Sequence, residues 1–125
     1  MINKVSANAY KFSFNSIDGK IVNLKEFKGK PILIINTASL CGFTNQYADI
    51  ESLYDNYKED GLVVIGIPSN DFGNQELSSN TKVKDFCTTN FDISFCTSFC
   101  ILSDFGFVVL AYHETNSPLL FIKYL

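Results

Sequence analysis

Apolar and polar residues alternate on both sides of Asp18-Gly19 within residues 12–24, which predicts two short strands joined by a tight turn, since glycine readily takes up positive φ. An unbroken apolar run follows, Ile32-Leu33-Ile34-Ile35 within residues 31–38, and its β-branched content suits a central strand buried on both faces. Tyr47, Ile50, Leu53, Tyr54 and Tyr57 then recur at steps of three and four. They draw one apolar stripe along a helix capped by Thr44 and ended before Gly61. Leu62-Val63-Val64-Ile65-Gly66-Ile67 is a second buried strand. Strand, helix and strand form a βαβ unit whose crossover is right-handed and whose strands are parallel neighbours. Residues 68–79 are rich in Gly, Asn, Ser and Asp and read as a loop, after which Asn80 caps a short helix with Val83, Phe86 and Cys87 on one face.

At 125 residues the chain suits one domain. Its net charge of -3 gives no electrostatic footprint for nucleic acid or anionic lipid. No apolar run reaches the roughly 18–20 residues that span a bilayer, and the first residues lack the apolar core of a secretory signal, so a cytoplasmic location is expected; a monomer is the oligomeric state assumed. The four cysteines, Cys41, Cys87, Cys96 and Cys100, then read as catalytic, metal-binding or merely buried thiols. Charge falls away late: beyond residue 95 only Asp104, Glu114 and Lys123 remain.

Cys41 follows the first buried strand and precedes the expected helix cap, at the strand end where ligands gather in open α/β sheets and where unpaired N–H groups favour a thiolate. Lowering a thiol pKa by two to three units from about 8.5 takes about 3–4 kcal/mol. A helix terminus supplies roughly 0.3–2 kcal/mol of that. Further donors are needed, and the loop over residues 70–76, with Gln75 as the best donor, is placed to provide them. From position alone Cys41 is equally a reactive thiol or a small buried residue.

Two stretches carry a resemblance. Gly29-Lys30-Pro31-Ile32-Leu33-Ile34-Ile35-Asn36-Thr37-Ala38-Ser39-Leu40-Cys41-Gly42-Phe43-Thr44 is similar to the signature of the glutathione peroxidase family. Gly61-Leu62-Val63-Val64-Ile65-Gly66-Ile67-Pro68-Ser69-Asn70-Asp71-Phe72-Gly73-Asn74-Gln75-Glu76 resembles the second signature, departing at Ser69 and Asp71. The resemblance implies a thioredoxin-like α/β fold with the N-terminal hairpin and central βαβ unit, closed by an antiparallel strand pair and a helix. It implies a peroxidase in which Cys41 becomes a sulfenic acid, with Gln75 as the catalytic glutamine. Cys87 sits where many members carry a resolving cysteine, although a core cysteine would look the same. Hydrogen peroxide or an organic hydroperoxide is the implied substrate, thioredoxin or glutathione the electron donor, and no bound cofactor is called for.

The resemblance covers about residues 10–95, so the chain reads as one domain over residues 1–125, family-like over 1–95 with a divergent tail over 96–125. The family's tryptophan and asparagine, which complete the activating set, have no match, and the chain contains no tryptophan. The C-terminal ββα part is therefore expected to be incomplete or altered. The abrupt break suggests a shifted reading frame or a mis-predicted exon, an idea that an abundant transcript encoding the tail as written would sink. Cys96, Cys100 and His113 do not make a zinc spacing. Two further readings stand beside the peroxidase: a weak or inactive family member acting as redox sensor or binding protein, and a thiol–disulfide oxidoreductase, against which Thr44 replaces the second thiol of a Cys-x-x-Cys motif.

Overall fold

In the computed structural model, which describes residues 9–68, 73–95 and 119–122, the segments around Asp18-Gly19 form an antiparallel hairpin. β1 (Ser13–Asn15) pairs with β2 (Ile21–Asn23), Phe14 opposite Val22. The Gly19 amide donates to the Ser16 carbonyl at 2.8 Å and the Ser16 amide to the Lys20 carbonyl at 2.6 Å. Gly19 lies at φ +77°, the left-handed position that completes such a three-residue connection and that a side chain would strain.

β3 (Ile32–Thr37) is the middle of a sheet in the order β4-β3-β5, with β4 (Val63–Pro68) and β5 (Leu119–Ile122) both parallel to it. Its unbroken apolar run has a direct cause, because both faces are covered. Leu33 and Ile35 join Val64 beneath Tyr47 and Ile50 of α1 (Gln46–Tyr57) and Val83 and Cys87 of α2 (Asn80–Phe91). On the other face Ile32 and Ile65 pack with Leu24, and the half-buried Phe12, Phe14 and Phe27 of the N-terminal segment complete that cluster. Each such side chain contributes about 1.5–3 kcal/mol when fully buried. Both helices thus lie on one face and Leu24 with the N-terminal aromatics on the other, while the hairpin turn reaches the helix side, where Ile17 packs against the first cluster and Asp18 pairs with Lys84 of α2 at 2.7 Å.

Several expectations need correction. The buried face of α1 is Tyr47, Ile50 and Glu51, whereas Leu53 and Tyr57 are 37% and 52% exposed. A charged residue holds a core position because its carboxylate is satisfied: Glu51 accepts hydrogen bonds from the Ser94 hydroxyl and the Phe95 amide, tying down the chain that leaves α2. Gly61, at φ +95°, turns the chain out of α1 as expected, and the Leu62 amide closes back on the Tyr57 carbonyl at 3.0 Å. Ser79, not Asn80, caps α2, its hydroxyl accepting from the Lys82 amide, since the cap must have extended backbone and Ser79 has it.

The resemblance implies antiparallel strands closing the sheet, but β5 runs parallel to β3, Ile32 opposite Leu119. The C-terminal part is altered in that respect. Other expectations fall outside the described residues: the N-terminal residues 1–8, loop positions 69–72, the apolar segment 105–112, residues 123–125, and Cys96, Cys100 and His113. Among the described residues no helix is long and apolar enough to cross a membrane, and no group of three or more His, Cys, Asp or Glu is gathered as for a metal.

Candidate active site

β3 ends at Thr37, and the chain leaves the sheet through buried Ala38 and Ser39 before surfacing at Leu40. Leu40 is 59% exposed and Phe43 63%, with half-buried Cys41 between them. Among the described residues nothing lies within 4 Å of a Cβ built on Gly42, the residue after the cysteine. Thr44 then returns to the interior.

Thr44 does not cap α1. Its hydroxyl oxygen lies 2.8 Å from the Ala38 carbonyl and 2.7 Å from the Cys41 carbonyl, and its single proton is shared between them. The hydroxyl that sequence reasoning assigned to the helix end therefore holds the cysteine loop closed. The run-in to α1 supplies its own bonds: the amides of Thr44, Gln46 and Tyr47 donate to the carbonyls three residues earlier, Cys41, Phe43 and Thr44. Asn45, the residue before the helix, makes no side-chain cap. Among the described residues the amides of Gly42 and Phe43, next along the chain from the sulfur, have no backbone acceptor.

The second loop comes from the neighbouring parallel strand, β4. Gly73 at φ +76° and Asn74 at φ +55° reverse the chain through two left-handed residues, a conformation that glycine and asparagine accept most readily. This delivers Gln75 to the cysteine loop, where its carbonyl accepts the Leu40 amide at 2.8 Å. Glu76, 8% exposed, turns inward, and its Oε1 accepts the Ser39 amide at 3.1 Å and the Leu77 amide at 2.8 Å. Sequence reasoning counted Glu76 only as the end of a donor loop. An acidic residue directly after the glutamine was the available signal, but nothing in the pattern says that it faces inward.

Cys87 is fully buried in the core cluster that holds Val83, Ile93, Phe95 and Tyr47, and both Cys41 and Cys87 are free thiols. The structure thus brings Gln75 to the Cys41 loop and leaves Cys87 within the core. Cys87 nevertheless lies near a weak helix end. Thr88, Thr89 and Asn90 follow it, all poor helix formers, and the Thr88 hydroxyl and Asn90 amide bond back to carbonyls of their own helix. The terminal cap is Asp92, a non-glycine residue at φ +50°, whose amide donates to the Cys87 and Thr88 carbonyls.

Tyr47 connects these parts. Its ring packs edge-on against Phe91 at 5.5 Å between centroids, and burial raises its phenol pKa well above the usual tyrosine range, with Glu76 and Cys87 nearby adding to the shift. The hydroxyl lies beside the Thr37 hydroxyl and the Ala38 backbone. With neither does it reach hydrogen-bonding geometry, and among the described residues the Thr37, Ser39 and Tyr47 hydroxyls lie buried with no hydrogen-bond partner.

A parallel βαβ core with a cysteine on the loop after its central strand is the arrangement of thioredoxin-like proteins. Accordingly, the thioredoxin domain of a thiol–disulfide oxidoreductase from Bacteroides vulgatus superposes with a TM-score of 0.52 at 16% identity, over 74% of this chain and 59% of that one, a likeness of fold alone. The glutathione peroxidase family model matches residues 9–103, and the chain belongs to that family. The match runs past the break after residue 95 at which the motif resemblance ended. Among curated relatives, a glutathione peroxidase of Lactococcus lactis subsp. cremoris is 42% identical over 70% of this chain and 56% of its own length. A hydroperoxy fatty acid reductase of Synechocystis is 45% identical over 69% of this chain and 51% of its own. The chain thus spans about half the length of the curated relatives it matches.

Proposed function

We propose that the chain is a thiol peroxidase that removes hydrogen peroxide or organic hydroperoxides and so protects against oxidative stress. The Cys41 thiolate attacks one peroxide oxygen, the O–O bond breaks, and the other oxygen takes a proton and leaves as water or an alcohol. Cys41 is left as a sulfenic acid. Gln75 donates a hydrogen bond to the peroxide oxygen as negative charge develops there, and the Gly42 and Phe43 amides, next along the chain from Cys41, are candidate further donors. Cys87 then attacks the sulfenic sulfur, releasing water and forming a disulfide that thioredoxin or glutathione reduces with two electrons. That step requires the end of α2 to unwind, because two cysteines must bring their α-carbons within about 7 Å.

The observation that carries this reading is the junction of the two strand-end loops, where the Leu40 amide meets the Gln75 carbonyl one residue from Cys41. Membership of the family and the weak helix end after Cys87 support it. We read residues 1–125 as one cytoplasmic, monomeric domain with no bound cofactor.

The test is NADPH consumption by purified protein mixed with hydrogen peroxide and a thioredoxin system, repeated with Cys41→Ser and Cys87→Ser. Loss in Cys41→Ser supports the peroxidase. Equal consumption by wild type and Cys41→Ser sinks it, and no consumption by either leaves the redox-sensor reading in its place.

A further inference from the structure

We propose, building on the peroxidase reading above, that Glu76 is a positioning residue whose carboxylate fixes the spacing between Cys41 and Gln75. The two loops that carry these residues leave adjacent parallel strands, and nothing in a parallel ladder sets their separation once the strands end. Two consecutive bonds do so here. The Leu40 amide donates to the Gln75 carbonyl, and the Ser39 amide donates to Glu76 Oε1, so residues 39 and 40 of one loop pair with residues 76 and 75 of the other.

The carboxylate is itself held. Its Oε1 also accepts the Leu77 amide, the next residue along its own chain, which locks the side chain in the orientation that reaches Ser39. Glu76 is 8% exposed and Ser39 5%, so water does not compete for the bond, and a charge-assisted bond in such surroundings is stronger than a neutral one. Ser39 is two residues from Cys41, and Glu76 adjoins Gln75. A shift at the carboxylate therefore reaches both reacting groups.

Both amides converge on one oxygen, and this separates geometry from charge. Glutamine places a neutral carbonyl oxygen at the same reach, whereas aspartate keeps the charge and falls one methylene short. The proposal requires glutamine to succeed and aspartate to fail.

The test uses the full chain as wild type, Glu76→Gln, Glu76→Asp and Glu76→Ala. Amide exchange at Ser39 and Leu77 is followed by NMR, and hydrogen peroxide oxidation of Cys41 by peptide-resolved mass spectrometry. Glu76→Gln should keep amide protection and oxidise within about threefold of wild type, while Asp and Ala lose protection and slow roughly ten- to hundredfold, as expected of a misplaced reacting pair. Unchanged protection in Glu76→Ala, wild-type oxidation in an unprotected variant, or rescue by Asp rather than Gln overturns the proposal. If Glu76→Ala does not fold, the contrast between Gln and Asp decides. Wild-type Cys41 oxidising no faster than free cysteine would refute the peroxidase reading and with it the catalytic part of this role; the exchange data then judge the loop clamp by itself.

Discussion

The Leu40 amide donates to the Gln75 carbonyl across 2.8 Å, so the backbone, not the side chain, of Gln75 joins the two loops of the site. The side chain can then be removed without moving the loop. Gln75→Ala should slow peroxide oxidation of Cys41 by roughly ten- to a thousandfold, the range for loss of one oriented donor. Its stability should stay within about 0.5 kcal/mol of wild type. Stopped-flow oxidation and urea unfolding of the same preparation check both halves.

Thr44 closes the cysteine loop through one hydroxyl shared by the Ala38 and Cys41 carbonyls. Thr44→Val keeps the shape and removes the donor, and should destabilise the fold by about 1–2 kcal/mol. Thr44→Ser should recover most of that loss. Urea midpoints of the three proteins decide the matter.

Cys87 is wholly buried, so its two roles separate by substitution. Cys87→Ala should cost about 1–2 kcal/mol of stability through the small cavity left behind. It should leave the first oxidation of Cys41 unchanged and stop disulfide formation. Non-reducing peptide mapping after one equivalent of peroxide should show the 41–87 disulfide in wild type and a persistent Cys41 sulfenic acid in the variant.

Tyr47 keeps its proton when folded, because burial lifts its pKa far above the unfolded value. With the folded pKa raised, its contribution to stability is complete below about pH 10, where tyrosine in the unfolded chain begins to ionise, and declines as pH rises further. Tyr47→Phe removes a buried hydroxyl with no hydrogen-bond partner among the described residues, so near neutrality it should be neutral or stabilising by up to about 1 kcal/mol. Above about pH 10 its stability should fall less steeply than that of wild type, by up to about 1.4 kcal/mol per pH unit. Urea titrations between about pH 8 and 11 measure the difference.

The parallel pair β3 and β4, both helices and the hairpin were legible in the sequence because their burial leaves a pattern, whereas β5 was not. Residues 32–35 are apolar without interruption because helices cover one face and Leu24 and its neighbours the other. Cys41 and Gln75 stood out as candidates through motif and strand-end position, and Cys87 through motif alone. What the pattern concealed was the direction of polar side chains. Thr44 was expected to cap a helix and instead clasps a loop, and nothing in the pattern marks Glu51 or Glu76 as inward-facing until their backbone and hydroxyl donors are seen. Strand direction at β5 was also hidden, since a short apolar run carries no mark of parallel or antiparallel pairing.

The central claim is that Cys41 is the group that peroxide oxidises first. The direct measurement treats the reduced chain with substoichiometric hydrogen peroxide, traps sulfenic acid with a dimedone-type reagent, and locates the adduct by peptide mass spectrometry. The peroxidase account predicts an adduct on Cys41 before any on Cys87, Cys96 or Cys100, formed orders of magnitude faster than on free cysteine. An adduct that forms first on another cysteine, or on Cys41 only at the rate of free cysteine, would contradict it.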